Sequence, residues 1–188
     1  MTNVIIIHGT GGHPEENWFP WLKKELEKRG GQVFVPQFPN PQTPGLQAWL
    51  KEFEKYGAHF TSDTILIGHS LGGAFALRVL EKSKTKIRLA CIIAAPIGVL
   101  PIKYYQSDKP FIEKPFDWEK IRKNCGGFAV FHSMDDPLVC VENGEVLALK
   151  LGVKPILLKN AGHFNSKAGY TKFKELLEVI ALELKERK

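Results

Sequence analysis

Thr64-Ile65-Leu66-Ile67-Gly68-His69-Ser70-Leu71-Gly72-Gly73-Ala74 is an apolar run that stops at a glycine-flanked serine, after which a helical periodicity begins. It reads as strand, sharp turn, helix. Gly68 and Gly72, two residues before and two after Ser70, let the incoming strand and the outgoing helix approach without side-chain clashes. The pattern is G-x-S-x-G, which lifts a serine hydroxyl clear of the backbone at the top of a sheet. The turn forces a non-glycine residue into a strained conformation costing about 1–3 kcal/mol. The competing reading is a glycine-rich turn that contains serine by chance. The strand before it and the helix after it argue against that.

Outward from this stretch, strand and helix signals alternate. Residues 3–8 are short, β-branched and continuously apolar, as expected of a strand covered on both faces. They lead into His8-Gly9-Thr10-Gly11-Gly12, a flexible loop able to turn backbone N–H groups towards an anion. It lacks the lysine of a phosphate loop, and its glycine spacing does not match the dinucleotide fingerprint. Trp18, Phe19, Trp21, Leu22 and Leu26 form a helical stripe ending near Gly30-Gly31. Trp18 and Trp21 read as packing anchors, and the position of Trp18 beside the first loop also makes it a candidate for the substrate pocket. Further strands are expected at residues 32–36, 87–94, 128–132 and 155–158. Further helices are expected at residues 46–56, 74–81, 116–124, 142–151 and 170–185. A proline-rich connection spans 38–45, and residues 96–115 fit either a small lid or a surface connection.

Alternation of this kind implies one mainly parallel sheet of about six strands with helices on both faces. Active sites in such sheets gather beyond the carboxyl ends of the strands, where the loops after His8, Gly68, His132 and Leu158 fall. The 188 residues suit one domain over 1–188 with no large cap. With 44% hydrophobic and 24% charged residues, the composition is that of a globular chain. No apolar run reaches the roughly 20 residues of a membrane span, and the start Met1-Thr2-Asn3 shows no leader, so a cytoplasmic location is expected. Cys91, Cys125 and Cys140 are odd in number and far apart, which favours reduced thiols over a disulfide framework or a metal site. Cys91, in an apolar run, reads as core. The formal charge of +6 is mostly scattered lysine, densest at Lys185-Glu186-Arg187-Lys188. That argues for a solvated surface and not for a nucleic-acid face.

A serine hydroxyl needs a base to remove its proton, and the base needs a third group to fix its tautomer. Ser133-Met134-Asp135-Asp136-Pro137-Leu138 and Asn160-Ala161-Gly162-His163-Phe164 each follow a strand, in the order serine, acid, histidine. Among six histidines, His163 is singled out by its loop, its preceding glycine and that order. His69 reads as a structural polar residue bordering the pocket, while His8, His13, His59 and His132 are reserves. Either Asp135 or Asp136 can supply the acid.

These loops, with Phe116-Asp117-Trp118-Glu119-Lys120-Ile121 and Trp18…Trp21-Leu22-Lys23-Lys24-Glu25-Leu26, resemble the retinoblastoma-binding-protein type of small serine hydrolase over nearly the whole chain. The resemblance implies a three-layer α/β-hydrolase fold with Ser70 as nucleophile, Asp136 as acid and His163 as base. Asp136 is preferred because the acid of that family stands directly before Pro-x-apolar. The oxyanion donors are then the N–H of Leu71 and that of Thr10, with Gly11 in reserve and as a pocket residue. The His8–Gly12 loop departs from the proline-led loop of the family and looks more like that of general esterases.

The expected function is hydrolysis of small carboxylic esters, with thioesters and short amides next, through an acyl-enzyme on Ser70. No cofactor, metal, nucleic acid or membrane is expected, and the partner is a small acyl substrate. An interfacial lipase fits less well because no large apolar lid is visible. The alternative is a protein-interaction module of the same fold, suggested by the family resemblance and by Leu138-Val139-Cys140-Val141-Glu142, an L-x-C-x-E match. Its alternating apolar residues also suit a buried connection.

Overall fold

The computed structural model describes residues 2–185, and the charged tail at 186–188 lies outside the described residues. Six strands form one sheet: β1 (Asn3–Ile7), β2 (Gln32–Phe34), β3 (Ile65–His69), β4 (Ile87–Ile93), β5 (Cys125–Ser133) and β6 (Ile156–Leu158). Every pairing is parallel, in the order β2-β1-β3-β4-β5-β6. Seven α-helices occur among the described residues: α1 (Phe19–Glu27), α2 (Leu46–Phe53), α3 (Leu71–Lys82), α4 (Tyr105–Ile112), α5 (Trp118–Lys123), α6 (Val141–Leu151) and α7 (Lys174–Lys185). None of the described helices is long and apolar enough to cross a membrane.

The apolar strand residues divide by the two-residue period of a strand. Val4, Ile6, Ile65, Ile67, Leu89 and Cys91 face α1 and α7. Ile5, Ile7, Leu66, Ala90 and Ile92 face the opposite core, built with α2 to α6. Two cores sandwich the sheet, giving three layers. Each fully buried isoleucine contributes about 1.5–3 kcal/mol, which is why the runs read from sequence as continuously apolar.

The strand order reverses between β1 and β3, so a crevice opens at their carboxyl ends. The register pairs Ile7 with Gly68, Gly68 with Ile92, Ile93 with Phe131 and Ser133 with Leu158, bringing the loops after β1, β3, β5 and β6 to one edge. α3 lies close over β1. A Cβ on Gly72 would run into the carbonyl oxygens of Ile7 and His8, so the second elbow glycine is needed for this approach.

Three of the departures from expectation have a visible cause. β5 begins at Cys125 instead of 128, because Gly126 lets the strand pass close to the Arg88 carbonyl, to which a Cβ would come within 2.7 Å. α7 begins at Lys174 instead of 170, since Tyr170 and Phe173 pack on Phe164 in a turn. α4 lies inside the unassigned segment 96–115. It has a proline at position 110 and buries Asp108, Phe111 and Ile112, a pattern too short to show periodicity. α4 is fastened from outside by Arg78 of α3. The Arg78 guanidinium donates to the carbonyls of Phe111 at 2.8 Å, Lys114 and Pro115, pairs with Glu81 at 2.9 Å, and lies 3.8 Å above the Phe116 ring.

Candidate active site

Ser70 joins β3 to α3 at φ 56° and ψ −128°. Its N–H donates to Ile93 at 2.8 Å and its carbonyl accepts from Gly73 at 2.9 Å, so bonds on both sides hold the strained turn. The Leu71 N–H, at the open end of α3, has no hydrogen-bond partner among the described residues.

β1 ends beside this serine. The Gly9 backbone lies so close that a Cβ there would be 2.7 Å from the Ser70 Cβ and 3.1 Å from its Oγ. The Thr10 N–H follows directly and is likewise unpaired among the described residues. Gly12 N–H donates to Gly9, closing the loop on itself, and Gly11 N–H donates to Pro41 at 2.7 Å. The expectation of Gly11 as pocket residue and reserve donor is therefore corrected. Its N–H is occupied, a Cβ on it would meet the Gln42 side chain, and it is not among the residues that line the cavity described below. His8 is buried, accepting the Phe38 N–H at Nε2 and donating from Nδ1 to Gly9, and burial lowers its pKa.

The two adjacent aspartates after β5 do different work. The Asp136 side chain is completely buried, and its Oδ1 accepts the N–H groups of Leu138 at 2.8 Å and Val139 at 3.1 Å. His163 Nδ1–H reaches both its oxygens, at 2.8 and 3.1 Å. Asp135 is exposed and holds loops together, accepting the Ser133 hydroxyl and the Gly162 N–H. The Ser133 bond is the main reason its pKa lies below the ordinary carboxylate value. Geometry thus brings Asp136, not Asp135, to His163.

His163 sits in the loop after β6, only 5% exposed. Its carbonyl accepts a 2.8 Å bond from His69 Nε2–H, and Trp18 Nε1–H donates to the neighbouring Phe164 carbonyl at 3.0 Å. His163 Nε2 has no partner among the described residues and is not buried. The buried His69 ring meets Trp18 and Phe19 edge-to-face and lies tilted 5.0 Å from the His163 ring, and its Nδ1 is left unsatisfied. Burial first, then the charge of His163, pushes its pKa down to about 3, so it stays neutral and structural. Trp18 is fully buried and absent from the cavity wall, which corrects the pocket expectation for it. As the residue just before α1, it turns its indole under the histidine loop.

Ser70, His69 and His163 line one cavity of about 520 Å³ together with Gly9 and Thr10. Its wall also carries Asn17, Leu138, Asn165 and Lys167, which the sequence did not single out as pocket residues, and Lys103 and Tyr104 of the 96–115 segment, for which a lid was one of the two readings. Lys103 and Tyr104 come from the segment before α4, whose remainder packs on α3. Asn17 alone carries a faint signal, lying in the first loop, where its side chain accepts the Ser166 N–H at 2.9 Å. The L-x-C-x-E match is engaged within the chain: Val139 bridges to Ile102, the Leu138 carbonyl accepts from Lys103, and Cys140 N–H donates to Pro101. Cys91 is core, and the three cysteines are free. Among the described residues no cluster of side chains could hold a metal ion.

A serine on a strand-to-helix elbow at the switch point of a parallel sheet, with an acid and a histidine delivered by later strand ends, is the arrangement of the α/β-hydrolases. Within that class the chain belongs to the serine hydrolase family, whose pattern matches residues 4–182. It is 32% identical over 177 residues to YdeN of Bacillus subtilis, covering 94% of this chain and 93% of that one. It is 29% identical over 190 residues to the serine hydrolase RBBP9 of Rattus norvegicus, covering 95% and 94%. The crystal structure of the B. subtilis ydeN gene product superposes with a TM-score of 0.92 over 97% of this chain and 98% of that one, at 29% identity. The resemblance read from the elbow and its distant partners is borne out by this membership.

Proposed function

We propose that the protein cleaves small carboxylic esters through an acyl-enzyme on Ser70. The observation that carries this reading is the histidine of the cavity wall, with Nδ1 fixed on the buried Asp136 and Nε2 left unpartnered in the cavity that Ser70 also lines. In this mechanism His163 Nε2 takes the Ser70 proton as Oγ attacks the ester carbonyl, and Asp136 stabilises the imidazolium. The N–H groups of Thr10 and Leu71 receive the oxyanion, each worth about 2.7–4 kcal/mol in the transition state. Collapse releases the alcohol, protonated by His163. Water, deprotonated by the same nitrogen, then frees the acid and restores Ser70.

Substrate size follows from the cavity. The cavity holds about 520 Å³, and among the described residues no cap domain extends it to shelter a long chain, which supports short acyl groups. Thioesters of the same size are the next class. A series of p-nitrophenyl esters of rising acyl length should give the highest kcat/KM at the short end, and Ser70→Ala should abolish turnover. A clear optimum at long chains would reverse the size argument, and inertness of the unmodified enzyme towards all esters and thioesters would sink the reaction class.

A further inference from the structure

A buried carboxylic acid lies behind the first loop, outside the serine, histidine and acid already described. Asp108 of α4 is 3% exposed, and its Oδ1 accepts the Thr10 hydroxyl at 2.8 Å and the Ser107 hydroxyl at 3.4 Å. Burying a carboxyl is costly unless it is hydrogen-bonded, and it crosses from α4 to a loop 98 residues away in sequence to find that partner. The loop it holds is the one whose Gly9 backbone touches Ser70.

The other end of α4 is equally constrained. Arg78, 2% exposed on α3, donates to the carbonyls of Phe111, Lys114 and Pro115 at the close of α4. α3 begins with Leu71, directly after Ser70. A chain of contacts therefore runs from the helix that presents one N–H, through Arg78 and α4, to Asp108, and from there to the hydroxyl of the residue that presents the other. Two donors on separate loops act together only if their spacing is fixed before the oxyanion forms, and a misplacement of about 1 Å can cost on the order of 100-fold in rate.

We infer that Asp108 is a positioning residue: by accepting the Thr10 hydroxyl it fixes the Gly9–Thr10 peptide against Ser70 and refers it, through α4 and Arg78, to the helix that carries Leu71. The inference rests on the ester-cleaving mechanism proposed above. What Asp108 supplies is an acceptor in a fixed place. Burial, the largest influence on it, raises its pKa above the ordinary carboxylate value. The Thr10 hydroxyl needs only an acceptor oxygen at the place of Oδ1, which an asparagine amide also presents.

The test uses the full chain with Asp108→Asn, Asp108→Ala, Thr10→Val and the Ala/Val double variant. For each, kcat and KM for p-nitrophenyl acetate and the rate of fluorophosphonate labelling of Ser70 are measured. Asp108→Ala and Thr10→Val should each lower kcat and the labelling rate by about 10- to 100-fold with KM nearly unchanged. The double variant should be no slower than either single one, because both remove the same tie. Asp108→Asn, which keeps an acceptor, should stay within a few-fold of the unmodified enzyme. Should Asp108→Ala not fold, Thr10→Val breaks the same tie from the loop side. Unchanged kcat in both, additive losses in the double variant, or equal losses in Asp108→Asn and Asp108→Ala would each overturn the inference. If the unmodified enzyme itself takes no fluorophosphonate, the proposed mechanism has failed; if it is labelled and Asp108→Ala is labelled as fast, only the role of Asp108 has failed.

Discussion

Asp136→Asn should cut kcat by about 10⁴-fold while leaving the fold in place, and the geometry says why. The Asp136 Oδ1 accepts two backbone N–H groups, from Leu138 at 2.8 Å and Val139 at 3.1 Å. An asparagine must turn its carbonyl oxygen to these donors, which places its NH₂ where Oδ2 now lies, 2.8 Å from His163 Nδ1. The amide then donates to Nδ1, and the ring proton moves to Nε2, where it blocks acceptance of the Ser70 proton. A 10⁴-fold loss corresponds to about 5.4 kcal/mol of transition-state stabilisation. Both backbone donors remain satisfied, so the melting temperature should fall by only a few degrees. The assay is kcat for p-nitrophenyl acetate, with Asp135→Asn measured beside it. Asp135 bonds to Ser133 and Gly162 and does not reach His163, so its variant should lose no more than about tenfold. Retention of activity within tenfold in Asp136→Asn, or a larger loss in Asp135→Asn, would refute the assignment of the acid.

Two other outcomes test the loops and the buried histidines. Gly9→Ala would put a methyl 2.7 Å from the Ser70 Cβ, so kcat should drop by at least about 100-fold, while overpacking costs only about 1–3 kcal/mol in a thermal or urea melt; a fully active Gly9→Ala enzyme would contradict the close approach. His69 has its pKa held down at about 3 against an ordinary 6.5, so it stays neutral when folded and binds a proton when unfolded below about pH 6.5. Its contribution is therefore complete above that pH and lost as the pH falls, about 2 kcal/mol between pH 7 and pH 5. His8 and His132, also lowered chiefly by burial, act in the same direction. Urea unfolding at pH 7, 6 and 5 should show this decline, and a flat stability over that window would mean that these rings are not buried and neutral.

The elbow, the sheet and the order of the site residues were legible because each rests on a local pattern. A continuously apolar run ending at Gly68-His69-Ser70 can pack only as a buried strand entering a turn, and His163 is marked by its glycine and its place after a strand. The choice between Asp135 and Asp136 was not local. It depends on which side chain the turn after β5 sends inwards, and the neighbour of the acid is used to hold the histidine loop. Trp18 illustrates the same limit. Its nearness in sequence to the first loop suggested a pocket wall, but its indole is spent on the Phe164 carbonyl beneath the site. α4 was hidden because Arg78, 27 or more residues away in sequence, supplies its fastening in place of an amphipathic stripe. The partnership of Asp108 with Thr10 has no sequence signal at all, since it exists only once α4 is laid across the loop after β1.

If Ser70 is an activated nucleophile, the intact mass of the protein after exposure to a fluorophosphonate should rise by a single adduct mapped to Ser70, with none on Ser70→Ala and greatly slowed formation on His163→Ala. An unchanged mass under conditions that label a control hydrolase, or an adduct that maps elsewhere and persists in Ser70→Ala, would mean that Ser70 is not that nucleophile.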